Sequence, residues 1–389
     1  MEKQRNIPQL RFPEYEGEWE EKKLGDVAEI KTGDKDTQNR VDDGIYPFFV
    51  RSDNVERINS YSFDGEAILT SGDGVGVGKN FHYMNGKFDF HQRVYSIRKF
   101  SEYVSRKFIF YFFSDRFYKR VIRLSAKNSV DSVRMDMITD MPIYFPTLIE
   151  QQKIASFFTA IDQKITQLKR KKNLLEHYKK GVIQKIFSQE IRFRGDNGQE
   201  FPRWEKKLLR KIAKIYDGTH QTPNYVITGI PFYSVEQVTA NDFQNTKYIS
   251  EDVFKKENQR VKLGKGDILM TRIGDIGTAK YIDWDVNASF YVSLALIKHS
   301  DLFNSNYLSH YISTQNFQKE LWKRTIHVAF PKKINLGEIG ECEVELPPLP
   351  EQTKIANFLS VIDDKINHTQ TQIEKAEVWK KGLMQRMFV

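Results

Sequence analysis

Apolar residues recur at alternating spacings of four and three along one stretch of this chain: Ile154, Phe158, Ile161, Ile165, Leu168, Leu175, Val182 and Ile186. Ile355, Leu359, Ile362, Ile366, Ile373, Ala376, Leu383 and Met387 form a matching series further on. Such spacing over about five heptads predicts a coiled-coil helix. Lys172 and Lys179 interrupt the first series. The two stretches are copies, since Pro146 to Phe187 recurs without a gap as Pro347 to Phe388. Glu150/Glu351, Gln151/Gln352, Ile161/Ile362, Asp162/Asp363, Lys164/Lys365, Gly181/Gly382 and Phe187/Phe388 are identical pairs. A helix of this length reaches roughly 55 Å at 1.5 Å per residue. A single amphipathic helix lying on a large domain would not explain two self-similar seams. Pairing the seams with each other buries both. The intervening chain turns back, so an antiparallel pair is expected, with Ile154 near the Leu383 end and Val182 near the Ile355 end.

Outside the repeats the periodicity shortens to strands. Trp19 to Phe145 and Trp204 to Leu346 correspond loosely. Each opens with a Trp and charges, Trp19-Glu20-Glu21-Lys22-Lys23-Leu24 and Trp204-Glu205-Lys206-Lys207-Leu208. Each has a proline-aromatic strand signal, Tyr46-Pro47-Phe48-Phe49 and Ile230-Pro231-Phe232-Tyr233. In each, an apolar strand runs into a glycine turn: Ala67 to Thr70 before Gly72, and Ile268 to Thr271 before Gly274. Each ends in a helical stretch, near Arg106 to Leu124 and Asn306 to Arg324, and then a strand. The fold class that follows is α+β: two mixed α/β globular domains in pseudo-two-fold arrangement, separated by two long antiparallel coiled-coil spacer helices. The expected boundaries are 1–145 for the first domain, 146–187 for its helix, 188–203 for a linker rich in Gly and charge, 204–346 for the second domain and 347–389 for its helix.

The bulk numbers narrow the function. A chain of 389 residues, 40% of them apolar, fills two or three cores. Its 60 basic residues exceed 51 acidic ones, which favours a polyanionic partner such as nucleic acid over a merely soluble basic protein. Cys342 stands alone, so neither an intramolecular disulfide nor a cysteine zinc site is available, and a reducing cytoplasm fits. The N-terminal residues lack a signal-peptide core, and the aromatic run Phe108 to Phe113 is far short of a membrane span.

No catalytic constellation emerges. Gly72 to Lys79 misses the phosphate-loop pattern, with Asp73 and Asn80 at the deciding places. A dinucleotide or S-adenosylmethionine loop needs a helix behind the glycines, and Phe81 to Gly86 reads as strand and turn. The stretch is expected to be a hairpin, either purely structural or bringing Lys79, and Lys280 in the second domain, near a phosphate. Glu20-Glu21-Lys22 reads as a charged, solvated start to a strand or a helix rather than a nuclease site. Asp162 and Asp363 read as surface carboxylates of the heptad helices. The eight histidines show no metal spacing. The candidates for DNA contact are polar and basic residues in loops. In the first domain these are Arg51, Ser52, Lys79, His91, Gln92, Arg93, Lys127 and Asn128. In the second they are His220, Gln221, Gln237, Arg272, Lys280, His327, Lys332 and Lys333. Arg and Lys suit guanine edges, Asn and Gln suit adenine, and many such residues touch only phosphate.

Several duplicated motifs carry a resemblance. Leu148-Ile149-Glu150-Gln151-Gln152-Lys153-Ile154-Ala155 and Leu349-Pro350-Glu351-Gln352-Thr353-Lys354-Ile355-Ala356 open the two helices. Tyr178-Lys179-Lys180-Gly181 and Trp379-Lys380-Lys381-Gly382 close them. With the Trp19 and Trp204 openings, the chain resembles the specificity subunit of type I restriction-modification systems over nearly its whole length. The resemblance implies two target recognition domains, each reading half of an interrupted double-stranded DNA sequence, with spacer helices that set the gap. It implies a non-catalytic chain without a cofactor of its own. Two modification subunits that bind S-adenosylmethionine and methylate adenine would dock on it, and restriction subunits that use ATP and Mg would join them. Ile149 stands where the second copy has Pro350, so the two helices are expected to begin differently. The competing readings are a stand-alone nuclease or methyltransferase, and a coiled-coil interaction protein without DNA.

Overall fold

Two continuous helices, Leu148–Phe187 and Leu349–Met387, carry the heptad seams. They start at equivalent residues. Pro350 sits in the first turn, where a missing amide costs no hydrogen bond, so the Ile149/Pro350 difference does not shift the start as expected. The computed structural model describes residues 6–74, 76–125 and 132–389. The chain divides into two units: residues 1–170 with 370–389, and residues 171–369. Each unit therefore contains the beginning of one long helix and the end of the other.

In the first unit a six-stranded sheet has the order Glu29–Thr32, Val94–Arg98, Phe63–Ser71, Phe81–Phe90, Tyr46–Phe49, Val55–Ile58. All neighbours are antiparallel except Tyr46–Phe49 beside Phe81–Phe90. The charged strand Glu20–Lys23 pairs with Pro142–Phe145. Helix Arg106–Leu124 buries Phe108, Phe112, Phe113 and Phe117 in the core. Ile154, Phe158, Ile161 and Ile165 of the first long helix join the same cluster, as do Met384, Met387 and Phe388 from the chain's end, with Leu383 packed against it. Phe158 stacks on Phe388, and Lys169 pairs with Glu377, so the two helix segments run antiparallel here.

The second unit repeats the plan with a split sheet. One four-stranded sheet is ordered Ile215–Asp217, Leu294–Ile297, Ile268–Ile273, Asp275–Tyr281; the other is Tyr225–Val226, Lys247–Ile249, Ile230–Tyr233, Ser289–Phe290. Glu205–Leu208 pairs with Glu343–Leu346. The expected single helix is two, Ser305–Ile312 and Gln315–Arg324, broken where the Thr314 hydroxyl accepts from the Phe317 amide as a new N-cap. Its core takes Ile186 and Phe187 from the end of the first long helix and Ile355, Leu359 and Ile362 from the start of the second, with Val182 and Ile366 at its margin.

The polar residues of the repeat explain themselves in duplicate. Glu150 is fully buried and receives both arms of the Arg11 guanidinium at 2.8 Å; Glu351 is equally buried and receives Arg192 at 3.2 and 2.7 Å. Gln151 donates to the Pro146 carbonyl and accepts from the Ser105 amide. Gln352 donates to the Pro347 carbonyl and accepts from the Asn304 amide. Ser105 and Asn304 are the N-caps of the domain helices, so each glutamine fixes a domain helix to its long helix. Asp162 and Asp363 are not free surface carboxylates. Asp162 accepts from Lys380 at 2.6 Å and from the Tyr111 hydroxyl at 2.8 Å, and Asp363 accepts from Lys179 at 2.5 Å. Lys179, an interruption in the apolar series, is thus a cross-helix pin. Lys172 pairs along its own helix with Glu176. Leu168 and Ile373 are buried, and Leu175 is half-buried.

Candidate nucleic-acid interface

Both domains gather three loops at one end of the main sheet through the same backbone bonds. In the first, the Gln92 amide donates to Lys35 O, the Gly72 amide to Arg93 O, and the Val133 amide to Gly72 O. In the second, the Val292 amide donates to Thr219 O, the Arg272 amide to Ser293 O, and the Ile334 amide to Arg272 O. Gly72 and Arg272 therefore occupy one structural position. A Cβ at Gly72 would meet the Arg93 carbonyl oxygen at 2.9 Å. In the second domain the loops have opened enough to admit a long side chain.

That side chain is a bolt. Arg272 is buried; its Nε donates to Val292 O and its Nη1 to Ile334 O, both at 2.9 Å, and its Nη2 lies 3.5 Å from Asp217. Gln237 is also buried, accepting from the Ser234 amide and donating to Asn245 O. His91 is buried, and its Nδ1 accepts from the Arg93 amide. Burial, and then the Arg51 charge, lower its pKa from the ordinary histidine value. All three hold loop backbone through these bonds. In sequence they look like exposed loop polars, and only the tertiary packing separates them.

The exposed candidates form a surface at the loop end. In the first domain Arg51 and Arg93 both face the single carboxylate of Asp73, at 3.4 and 3.7 Å, leaving a net positive charge. Gln92, exposed beside them, donates to Asp36 at 3.1 Å. Ser52 is exposed and donates to Asn54 O. In the second domain His220 and Gln221 lie in the loop after Asp217, and Lys332 and Lys333 in the loop tied to Ile273 and Gly274. Burial works to raise the Asp217 carboxyl, but Arg260 and His220 outweigh it and hold its pKa below the usual value. His327 packs against the Trp322 ring at 4.6 Å. Lys79 and Lys280 leave this cluster, sitting over the rings of Tyr118 and Trp284. Lys79 lines a cleft of about 700 Å³ with Lys119, Lys169 and Lys381. Lys127 and Asn128 lie outside the described residues.

Sequence reasoning missed Arg11 and Arg192. The signal was available, since Leu10-Arg11-Phe12 and Ile191-Arg192-Phe193 are a short repeat placed before each Trp. In the second unit this lies within the glycine-rich connecting segment 188–203, where Phe193 packs edge-on against Phe358. Among the described residues, no group of three or more His, Cys, Asp or Glu is placed to hold a metal ion, and no helix is long and apolar enough to cross a membrane.

Comparison with known proteins agrees with the duplication. A family profile described as "Type I restriction modification DNA specificity domain" matches twice, at residues 16–177 and 203–378. The Type I restriction enzyme EcoDI specificity subunit of Escherichia coli is 22% identical over 401 residues, covering 92% of this chain and 85% of the relative. The MjaVIII specificity subunit of Methanocaldococcus jannaschii is 25% identical over 407 residues, covering 96% and 92%. Among solved structures, the S subunit of a type-I restriction-modification system from M. genitalium superposes with a TM-score of 0.67 over 98% of this chain and 99% of that one. At 15% identity that likeness speaks for the fold.

Proposed function

The chain belongs to the type I restriction-modification DNA specificity family, and from that premise we propose how its two domains divide the work. It is a specificity subunit, providing DNA target recognition within a type I restriction-modification complex. Each domain reads one half of a bipartite target in double-stranded DNA, and the long helices fix the gap between the halves. The observation that carries this reading is the pairing of sameness and difference. The Arg–Glu, glutamine and Asp–Lys anchors of the long helices recur in both copies, while the loop ends share a backbone frame and differ in nearly every side chain.

The first loop end offers Arg51, Gln92 and Arg93, with Ser52 beside them; the second offers His220, Gln221, His327, Lys332 and Lys333. Arginine suits the O6/N7 edge of guanine and glutamine the N6/N7 edge of adenine. Lys79 and Lys280 serve phosphate, which positions without specifying. Two modification subunits supply S-adenosylmethionine-dependent methylation of adenine, and restriction subunits supply ATP- and Mg-dependent cleavage. The complex works in the cytoplasm, where the DNA is. The test is to exchange residues 19–145 for the same domain of a relative and map methylated adenines across the host genome. One half-site should change and the other persist. Both changing together, or neither, would refute the two-reader arrangement.

A further inference from the structure

Residues 326 to 334 form an arch with a pinned base. The Ile326 amide donates to Lys333 O at 2.8 Å, the Gly274 amide to Lys332 O at 2.8 Å, and the Ile334 amide to Arg272 O at 3.0 Å. Lys333 bridges both Ile326 and Ile273. The tip between these ties is apolar and bare: Val328 is 97% exposed and Phe330 is 104% exposed. Phe330 is the one phenylalanine in the exposed class among the described residues. An isolated exposed apolar side chain needs no explanation, but a bare pair on a backbone-pinned tip is a prepared surface. The setting is cationic. Lys332 and Lys333 follow the tip, and on the helix that precedes it Glu320 is already paired with Lys323 and Arg324.

We propose that Val328 and Phe330 are a wedge that enters a base step of the second half-site and unstacks it, while Lys332 and Lys333 hold the flanking phosphates. This rests on the DNA-reading role above. An apolar point inside a cationic frame complements DNA, whose charge lies outside and whose stacked, apolar faces lie within. The arch springs from the same loop junction as His220 and Gln221, so the wedge arrives where the domain meets its half-site. Sequence preference then follows partly from how easily a step opens, at positions that no side chain hydrogen-bonds.

The experiment uses the chain assembled with its modification subunits. The probe is a duplex carrying the target found by methylation mapping. It has 2-aminopurine at successive positions of the second half-site, away from the adenines that are methylated. One position should brighten with the unaltered complex. Phe330→Ala should abolish that signal and weaken binding about tenfold or more, while Phe330→Trp should preserve both. Because Phe330 packs against nothing it would leave behind, the alanine variant should fold and assemble normally. If Phe330→Ala combined with Val328→Ser kept affinity and fluorescence, the wedge would be wrong. Weaker binding with no unstacked position in the unaltered complex would equally sink insertion. Loss of the modification subunits on gel filtration would mark the tip as a protein contact instead. Failure of the unaltered complex to prefer its target duplex would bring down the DNA-reading role as well.

Discussion

The Arg11–Glu150 and Arg192–Glu351 pairs are the residues on which each long helix is seated. A fully buried carboxylate is tolerable only with its hydrogen bonds complete, and here a two-armed guanidinium completes them. Removing one partner strands the other. Arg11→Ala should therefore destabilise the first unit by about 3 kcal/mol, and Arg11→Ala with Glu150→Leu by much less. Urea unfolding of the two variants beside the unaltered chain checks this. His310 shows the same logic through a proton. It occupies the place of Tyr111, six residues after the N-cap of the same kind of helix, but its Nε2 is buried without a hydrogen-bond partner and lies 3.8 Å from Asp363. Burial first, then the Lys179 charge, push its pKa down to about 4, against the opposing pull of Asp363. The unfolded chain takes up the proton near the ordinary value of about 6.5. Between these values the unfolded state binds more protons, so stability falls as pH drops from about 6.5 to 4 and is unaffected by this group above that range. His310→Tyr should flatten that part of a melting-temperature profile. An unchanged slope would mean that other groups govern the acid limb.

At the scale of elements, the register of the long helices is written in charges as well as in the apolar seam. Asp162 meets Lys380 and Asp363 meets Lys179, one pin within each unit. Both pins are partly exposed, so each contributes on the order of 1 kcal/mol or less, and their value lies in selecting one register. Asp162→Lys should weaken the first unit and Lys380→Asp should restore it, with a coupling of about 1 kcal/mol in a double-mutant cycle. Zero coupling would show the pin to be idle. Ile161→Asp with Ile165→Asp is a harsher change. It buries carboxylates in the cluster that holds Phe158 and should cost several kcal/mol. The seam was legible in the sequence because a heptad repeat is a local pattern. Lys179 showed only as an interruption, because its partner is distant in sequence and appears only when the antiparallel register is fixed. The proline-aromatic strands were legible for the same local reason, whereas the charged openings at Glu20 and Glu205 did not by themselves declare a strand. Arg272, Gln237 and His91 were not, since whether a loop polar faces inward depends on what the other loops leave open.

For the whole molecule, the net charge of +9 and the clustering of arginine and lysine at the loop ends predict binding that weakens steeply with salt. Titrating the assembled complex from low to moderate salt should give a slope of several released counterions. A flat response would exclude a large phosphate contact surface. The composition of the units carries a different consequence, one of timing. Unit one is not a continuous stretch of chain: its core needs Met384, Met387 and Phe388, while unit two is complete within residues 171–369. A ribosome adding roughly 5–20 residues per second takes about 10–40 s to travel from residue 170 to residue 370. Through that interval the domain made first holds Phe108, Phe112 and Phe158 without the aromatic ring that will cover them. The domain made second can close before it. The two cores thus become complete in the reverse of the order in which they are begun, and a nascent chain waiting with an open aromatic cleft is the stage at which a chaperone would find the most to hold.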